Sequence, residues 1–192
     1  MMEHAQRAPR QTEAFVAFLA GLAAPASENR AALAALRRGL GKPPGEAAEL
    51  FPYVVPWIPQ QASAWEETTY YLVASLFALH PVVWPDESER GSSRNFGASM
   101  ARLSVNQDRR EAVERRFVAL LNAHRDDVAE HVRRAVAMLK AADIPVDWAQ
   151  LLEDLRRWDW QDRPVQRRWA KSFWAELARA GTAQQGSAAS SA

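Results

Sequence analysis

The sequence predicts an all-α protein with two helical domains, the C-terminal one a four-helix bundle, and three observations support this prediction. Apolar residues recur every three or four positions, which is the spacing of one helix face. β-branched residues do not alternate with polar ones over the length of a strand. Proline and glycine separate the periodic stretches from one another. A chain of 192 residues with 48% hydrophobic content can bury one sizeable core or two small ones.

The first predicted domain covers residues 1–104. Its second helix ends at Gly41, which supplies a C-terminal stop, and the two prolines that follow forbid continuation. Residues 45–59 are interrupted by proline and form at most a short helix. Ser63 and Glu66 make a capping box that begins a long helix. The predicted helices cover 12–22, 28–40, 63–80 and 95–103, with a loop over 81–94.

The second predicted domain covers residues 105–180, and the stretch 104–107 joins it to the first. Short connections between its helices favour antiparallel neighbours and therefore a four-helix bundle. Residues 181–192 contain only Gly, Ser, Ala, Thr and Gln. Because such a segment buries too little to offset the entropy lost on ordering, we expect a disordered tail there. The predicted helices cover 109–122, 125–142, 147–158 and 162–180.

Charge and composition exclude several classes of protein. The net charge is only +1, so any affinity for nucleic acid has to come from cations sorted onto one face. The absence of cysteine excludes disulfides, thiolate nucleophiles and cysteine-based zinc sites. An apolar run over 14–24 is similar to a signal peptide, but Glu3 and Glu13 oppose the positive start that such a signal needs. No run reaches the roughly 18 to 20 apolar residues of a membrane span, and we expect a cytoplasmic protein.

No catalytic residue, metal site or cofactor is predicted. Residues 39–43 are superficially similar to a phosphate-binding loop, but a proline follows the lysine where Ser or Thr is needed. Ser99 lies in a helical pattern and not in the strand-to-helix turn of a nucleophile elbow. His124, Asp127 and His131 share roughly one helix face, but the two histidines lie about 10 Å apart along the axis, too far for one ion. A hydrolase would have to depend on these histidines, and we consider it the least favoured class.

Two helical segments carry basic residues and no acid. On a helical wheel the cations lie away from the apolar face, so they are available to a partner. Each basic face also has an explanation that needs no partner: it is a solvated surface, or its cations complement the dipole at the end of the helix. Trp174 lies at the border of the second face and is the candidate for stacking on a base, whereas Trp169, Trp65, Trp148 and Trp158 are expected in the core. The basic residues are Arg30, Arg37, Arg38 and Lys42 in the first segment, and Arg163, Arg167, Arg168 and Lys171 in the second.

Six short stretches, in this order, resemble the CasB family, the small subunit of the type I-E CRISPR Cascade complex. The resemblance spans roughly residues 12–175. The stretches are 37–46 (RRGLGKPPGE), 50–54 (LFPYV), 95–103 (NFGASMARL), 115–121 (RRFVALL), 144–152 (IPVDWAQLL) and 165–174, which begins VQRRWA and ends FW.

This resemblance implies a non-catalytic helical subunit, present in two copies beside the crRNA-bearing backbone of Cascade. Its role in antiviral defence would be to stabilise the R-loop, largely by guiding the displaced DNA strand. The implied partners are the other Cascade subunits, a second copy of the chain, crRNA and target DNA, with no membrane and no small-molecule substrate. The two basic faces together with Arg102 are then the candidate surface for sequence-independent phosphate contacts. The alternative is a helical scaffold that binds mainly protein neighbours.

Overall fold

A computed structural model describes residues 3–25, 29–84, 94–105 and 107–189, and the side chains of 3–10, 107–108 and 183–189 are outside this description. Most of the predicted loop over 81–94, the joint residue Asn106 and the predicted helix start at Glu28 therefore lie outside the described residues. No β-strand occurs in the described ranges, and the all-α class is confirmed. The helices are α1 Glu3–Ala23, α2 Arg30–Arg37, α3 Phe51–Val54, α4 Ala64–Leu79, α5 Phe96–Leu103, α6 Gln107–Leu121, α7 Arg125–Ala141, α8 Trp148–Arg156 and α9 Pro164–Ala189, with 3₁₀ turns at Ala48–Leu50 and Val55–Trp57.

The chain packs as two compact units. The first consists of Met1–Val83 with Trp148–Arg157, and the second of Trp84–Asp147 with Trp158–Ala192. This grouping differs from the predicted boundary after residue 104, because α5 packs in the second unit and α8 in the first. The predicted composition of the C-terminal bundle is therefore not confirmed: α5, α6, α7 and α9 pack together, and α8 packs with α1 and α4.

The core of the first unit forms where α1, α4 and α8 meet. Phe15 on α1 and Tyr70 on α4 are buried, with ring centroids 5.2 Å apart. Trp148 on α8 packs edge-on against Phe77 at 5.7 Å. The Trp148 indole N–H donates to the Val82 carbonyl at 3.1 Å, which satisfies the ring's polar group on burial. These contacts hold α8 in the first unit.

The beginning of α4 follows the predicted capping pattern in part. The Ser63 hydroxyl accepts from the Glu66 amide at 3.2 Å, as a helix cap does. The Glu66 carboxylate pairs with the guanidinium of Arg156 on α8. Of the two hydrogen bonds of a capping box between these described residues, only the one accepted by the Ser63 hydroxyl is formed. The Glu66 carboxylate does not return to the Ser63 amide, because Arg156 is the stronger partner for it.

The second unit depends on a close contact between α5 and α9. At Gly97 on α5, a Cβ would lie 2.7 Å from the carbonyl carbon of Trp169 and close to its oxygen, so only glycine allows this approach. Asn95 caps α5 by accepting from the Ala98 amide at 3.3 Å, and it donates to the Ser172 hydroxyl on α9 at 2.7 Å. The buried core includes Trp158 and Trp169, as predicted.

Helix α9 extends further than the sequence predicts. Its backbone is helical to Ala189, whereas a disordered tail is predicted over 181–192. Alanine and glutamine are good helix formers, so a helix already stabilised by tertiary packing can continue through them. Helix α9 also carries the cationic depression described below.

Candidate nucleic-acid interface

A surface depression of about 440 Å³ lies along α9. Residues 167, 171, 175 and 179 follow one another at four-residue intervals, so they rise along one side of the helix over about 18 Å at ~1.5 Å per residue. Within the part of the chain that the structure describes, the lining residues all belong to this helix. They are Arg167, Arg168, Lys171, Ser172, Ala175, Glu176 and Arg179.

Four cations and one carboxylate give the depression its charge. Arg167 and Lys171 are exposed, and Arg168 is half-buried. Arg179 forms an ion pair with Glu176 at 2.6 Å. The Arg179 side chain is 68% exposed and the Glu176 side chain is 34% exposed. A concave surface with a clear excess of positive charge concentrates anions at its mouth. The predicted residues Arg167, Arg168 and Lys171 are thus brought together at one place.

Arg163 of the second basic segment and Trp174 at its border lie outside the described lining of this depression. Arg163 donates a hydrogen bond to the Leu121 carbonyl, so its guanidinium attaches the start of α9 to the end of α6. Trp174 is 40% exposed, and its ring contacts Phe117 at 6.0 Å and Phe173 at 5.1 Å. Part of the indole is therefore engaged in packing, and its stacking on a base stays a prediction.

The first basic segment lies on and after α2, and its cations differ in their surroundings. The Arg37 Nε donates to the Ala78 carbonyl at 2.7 Å, which connects α2 to the last turn of α4. Arg38 lies 4.0 Å from Glu49, with both side chains more than half exposed. Arg30 and Lys42 are exposed. Arg37 thus has a structural contact that the basic pattern alone does not predict.

Arg102 belongs to a third cationic cluster. Its guanidinium carbon lies 4.1 Å from the centre of the Trp84 ring, and that of Arg94 lies 5.7 Å from the same centre. Both distances are in the range of a cation–π interaction, in which the electron-rich face of an indole attracts a cation. Arg94 was not predicted, because a lone arginine beside a glycine–serine loop has no distinctive spacing.

The rejected catalytic candidates have structural partners. Ser99 is buried, and its hydroxyl donates to the Pro145 carbonyl at 2.8 Å. His124 caps α7 by accepting from the Asp126 amide at 3.4 Å. Within the described residues, no three His, Asp or Glu side chains are grouped as a metal site requires. In the same part of the chain, no helix combines the length and apolar character that a membrane span needs.

Sequence reasoning missed Arg179 and Glu176. The second basic segment ends at Lys171, and Glu176 interrupts any longer acid-free stretch. The signal that would have found Arg179 is the four-residue interval continued from Arg167 through Lys171 and Ala175. A carboxylate within a basic stripe therefore does not mark its end.

The fold and this surface define a class: an all-helical protein with a cationic depression on one helix and, among its described residues, no cluster of potential metal ligands. The chain belongs to the CRISPR-associated protein Cse2 family, whose model matches residues 32–174. The resemblance to the CasB family is thereby confirmed.

Related proteins agree with this assignment. The chain is 38% identical to the CRISPR-associated protein Cse2 of Thermus thermophilus over 146 residues, which cover 75% of this chain and 79% of that protein. It is similar to the crystal structure of M. ruber CasB, with 32% identity, a TM-score of 0.74 and coverage of 90% of this chain and 97% of that chain. It is also similar to a chain of a CRISPR RNA-guided surveillance complex, with 26% identity, a TM-score of 0.76 and coverage of 93% and 99%.

Proposed function

We propose that this chain is the non-catalytic small subunit of a type I-E Cascade surveillance complex in antiviral defence. It stabilises the R-loop by sequence-independent contacts with the phosphates of the displaced DNA strand. Its partners are the other Cascade subunits, a second copy of the chain, crRNA and target DNA. A similar chain belongs to an RNA-guided surveillance complex, and this likeness supports membership of such an assembly.

The depression on α9 is the observation that carries the binding proposal. In RNA-guided recognition, base pairing reads the sequence, so a protein surface only has to neutralise phosphates. Arg167, Arg168 and Lys171 supply three such charges along little more than one turn of one helix. Most protein–phosphate affinity arises from release of counterions. Each phosphate contact with a single strand therefore steepens the slope of log affinity against log salt concentration by about 0.7.

Charge reversal tests this proposal. We expect the double variant Arg167→Glu and Arg168→Glu to weaken binding of a labelled oligothymidylate, to flatten its salt dependence and to shorten the R-loop lifetime in the reassembled complex. Arg115→Glu with Arg116→Glu on α6 is the matched control, since it makes the same change in net charge and both side chains are exposed and do not line the depression. Unchanged strand affinity and R-loop lifetime in the double variant would contradict the assignment.

A helical scaffold is the second candidate, and one observation in the first unit favours it. Residues 50–65 contain no charged residue, and Phe51 and Val55 within them are 39% and 50% exposed. Exposed apolar side chains in an uncharged stretch suit contact with protein and not with phosphate. If Phe51→Ser with Val55→Ser prevents assembly while the α9 double variant leaves DNA affinity unchanged, the scaffold is the correct function.

A further inference from the structure

The Glu176 carboxylate lies in the depression where an anionic ligand would be expected. It is the single acid among the described lining residues, and its Oε1 accepts from Nη1 of Arg179 at 2.6 Å. It is also less exposed than its partner, at 34% against 68%. A short charge-assisted contact of this kind has the geometry that a phosphate oxygen would form with the same guanidinium.

The two side chains are three residues apart on one helix, and such pairs are weak. An exposed pair at this spacing stabilises a helix by about 0.2 to 0.5 kcal/mol. A phosphodiester brings a full negative charge to the same place and releases counterions as it binds. Exchange of the carboxylate for a phosphate at Arg179 is therefore energetically accessible.

We infer that Arg179 is the fourth phosphate-binding cation of the α9 depression, and that Glu176 competes with the nucleic-acid strand for it. This inference rests on the proposed function and adds to it a residue that sets the strength of binding. The strand displaces Glu176 from Arg179 when it enters the depression. The salt dependence of the native chain is then less steep than four cations would produce, because binding of the strand breaks one existing ion pair.

The inference is tested with the full chain and a fluorescein-labelled 20-nucleotide oligothymidylate between 50 and 200 mM KCl. We expect Glu176→Gln to raise the affinity about 1.4- to 2.3-fold, the size of one exposed ion pair within a helix. We also expect the slope of log affinity against log salt to steepen by about 0.7. Glutamine keeps the size and helix propensity of glutamate, so the circular dichroism and melting temperature stay close to those of the native chain.

A double-mutant cycle separates exchange at Arg179 from a general change in charge. Arg179→Ala has a small effect in the native chain and abolishes the gain in the Glu176→Gln background, so the two effects are not additive. The matched control is the exposed pair of Glu111 and Arg115 on α6, which lies 3.1 Å apart outside the depression. We expect Glu111→Gln and Arg115→Ala to show no coupling in strand binding.

Each outcome decides the matter. If the native chain binds and Glu176→Gln changes neither affinity nor slope, the inference is wrong and the proposed function stands. If the gain persists without Arg179, Glu176 acts only by repulsion and the exchange is overturned. If neither protein binds the oligothymidylate at 50 mM KCl, the inference and the α9 interface fail together.

Discussion

Replacement of Gly97 by alanine tests whether the close contact of α5 with α9 supports the second unit. A Cβ at this position would lie 2.7 Å from the carbonyl carbon and 2.8 Å from the Cα of Trp169, where ordinary contacts begin at 3.4 Å. The atoms in the way are backbone atoms, so no side chain can rotate to make room. Helix α9 would have to move away by at least about 0.7 Å, since the carbonyl oxygen of Trp169 lies closer still, and this movement loosens the buried ring of Trp169 against Phe96.

The expected cost follows from two opposed effects. Alanine favours a helix over glycine by about 0.5 to 1 kcal/mol. Overpacking that shifts a backbone costs about 1 to 3 kcal/mol and occasionally more. Because the clash involves backbone on both sides, we expect the upper part of that range and a net destabilisation of about 2 kcal/mol. For a chain of this length the melting temperature should fall by about 4 to 8 °C.

Gly21→Ala is the control for this prediction. Gly21 lies within α1, and a Cβ there would meet nothing within 4 Å. The same substitution should therefore raise stability by about 0.4 to 1 kcal/mol through helix propensity and a less flexible unfolded chain. Thermal melts followed by circular dichroism at 222 nm compare both variants with the native chain. A Gly97→Ala protein that melts at or above the native temperature would refute the reasoning.

Three further predictions concern stability and pH. Burial raises the pKa of Tyr70 to about 12, so the stability that this residue contributes is full below pH 10 and falls as the pH rises towards 12. Its hydroxyl has no hydrogen-bond partner among the described residues, so Tyr70→Phe should be neutral or stabilising by up to about 1 kcal/mol, and its stability should depend less on alkali, when urea unfolding is compared at pH 7.5 and 11. The hydrogen bond from Arg133 lowers the pKa of Glu130, so this group stabilises the fold above its unfolded pKa, and that stability is lost as the pH falls through the folded value. Glu130→Gln should cost no more than about 0.5 kcal/mol in urea melts at pH 7, and the difference should shrink as the melts are repeated at lower pH. Arg156→Ala removes the cation shared by the little-exposed carboxylates of Glu66 and Glu153 and should lower the free energy of unfolding in urea by about 3 kcal/mol. Arg157→Ala, at a more exposed side chain, is the control and should cost under about 1 kcal/mol.

Most helices were predictable because their signals are local. Ser63 and Asn95 both accept from the amide three residues further on, so α4 and α5 begin where the cap residues indicate. The end of the second helix is less exact: the sequence predicts that it stops at Gly41, whereas α2 ends at Arg37, and Gly41 with its φ of +76° lies in the turn that follows. These features depend on contacts within a few residues of each other, and such contacts can be read along the chain.

The packing partner of α8 was not predictable in the same way. Short connections predict that it joins its sequence neighbours α7 and α9 in a bundle. Its indole at Trp148 instead packs on Phe77 and donates to Val82, more than sixty residues earlier. An amphipathic helix shows which of its faces is apolar and not which distant helix covers that face.

The candidate site was predictable to the same local extent. Helical spacing places Arg167, Arg168 and Lys171 together on the polar side of α9, and the depression there contains all three. Spacing does not reveal that Arg179 extends the same surface, because the intervening Glu176 interrupts the basic pattern. That a carboxylate pairs with a particular cation becomes evident only from the distance between them.

A count of acid-free basic residues also cannot distinguish a cation that is available from one that is engaged. Arg37 belongs to such a stretch as fully as Arg167 does, yet its Nε donates to the Ala78 carbonyl at the end of α4. The last carbonyls of a helix lack intrahelical donors, so a nearby guanidinium is a favourable partner for them. Loss of DNA binding in an Arg37 variant would therefore reflect altered packing as well as lost charge, whereas Arg167, an exposed residue of the depression, tests the charge more directly. The two basic segments are for this reason not equivalent as tests of function, and α9 is the one to examine first.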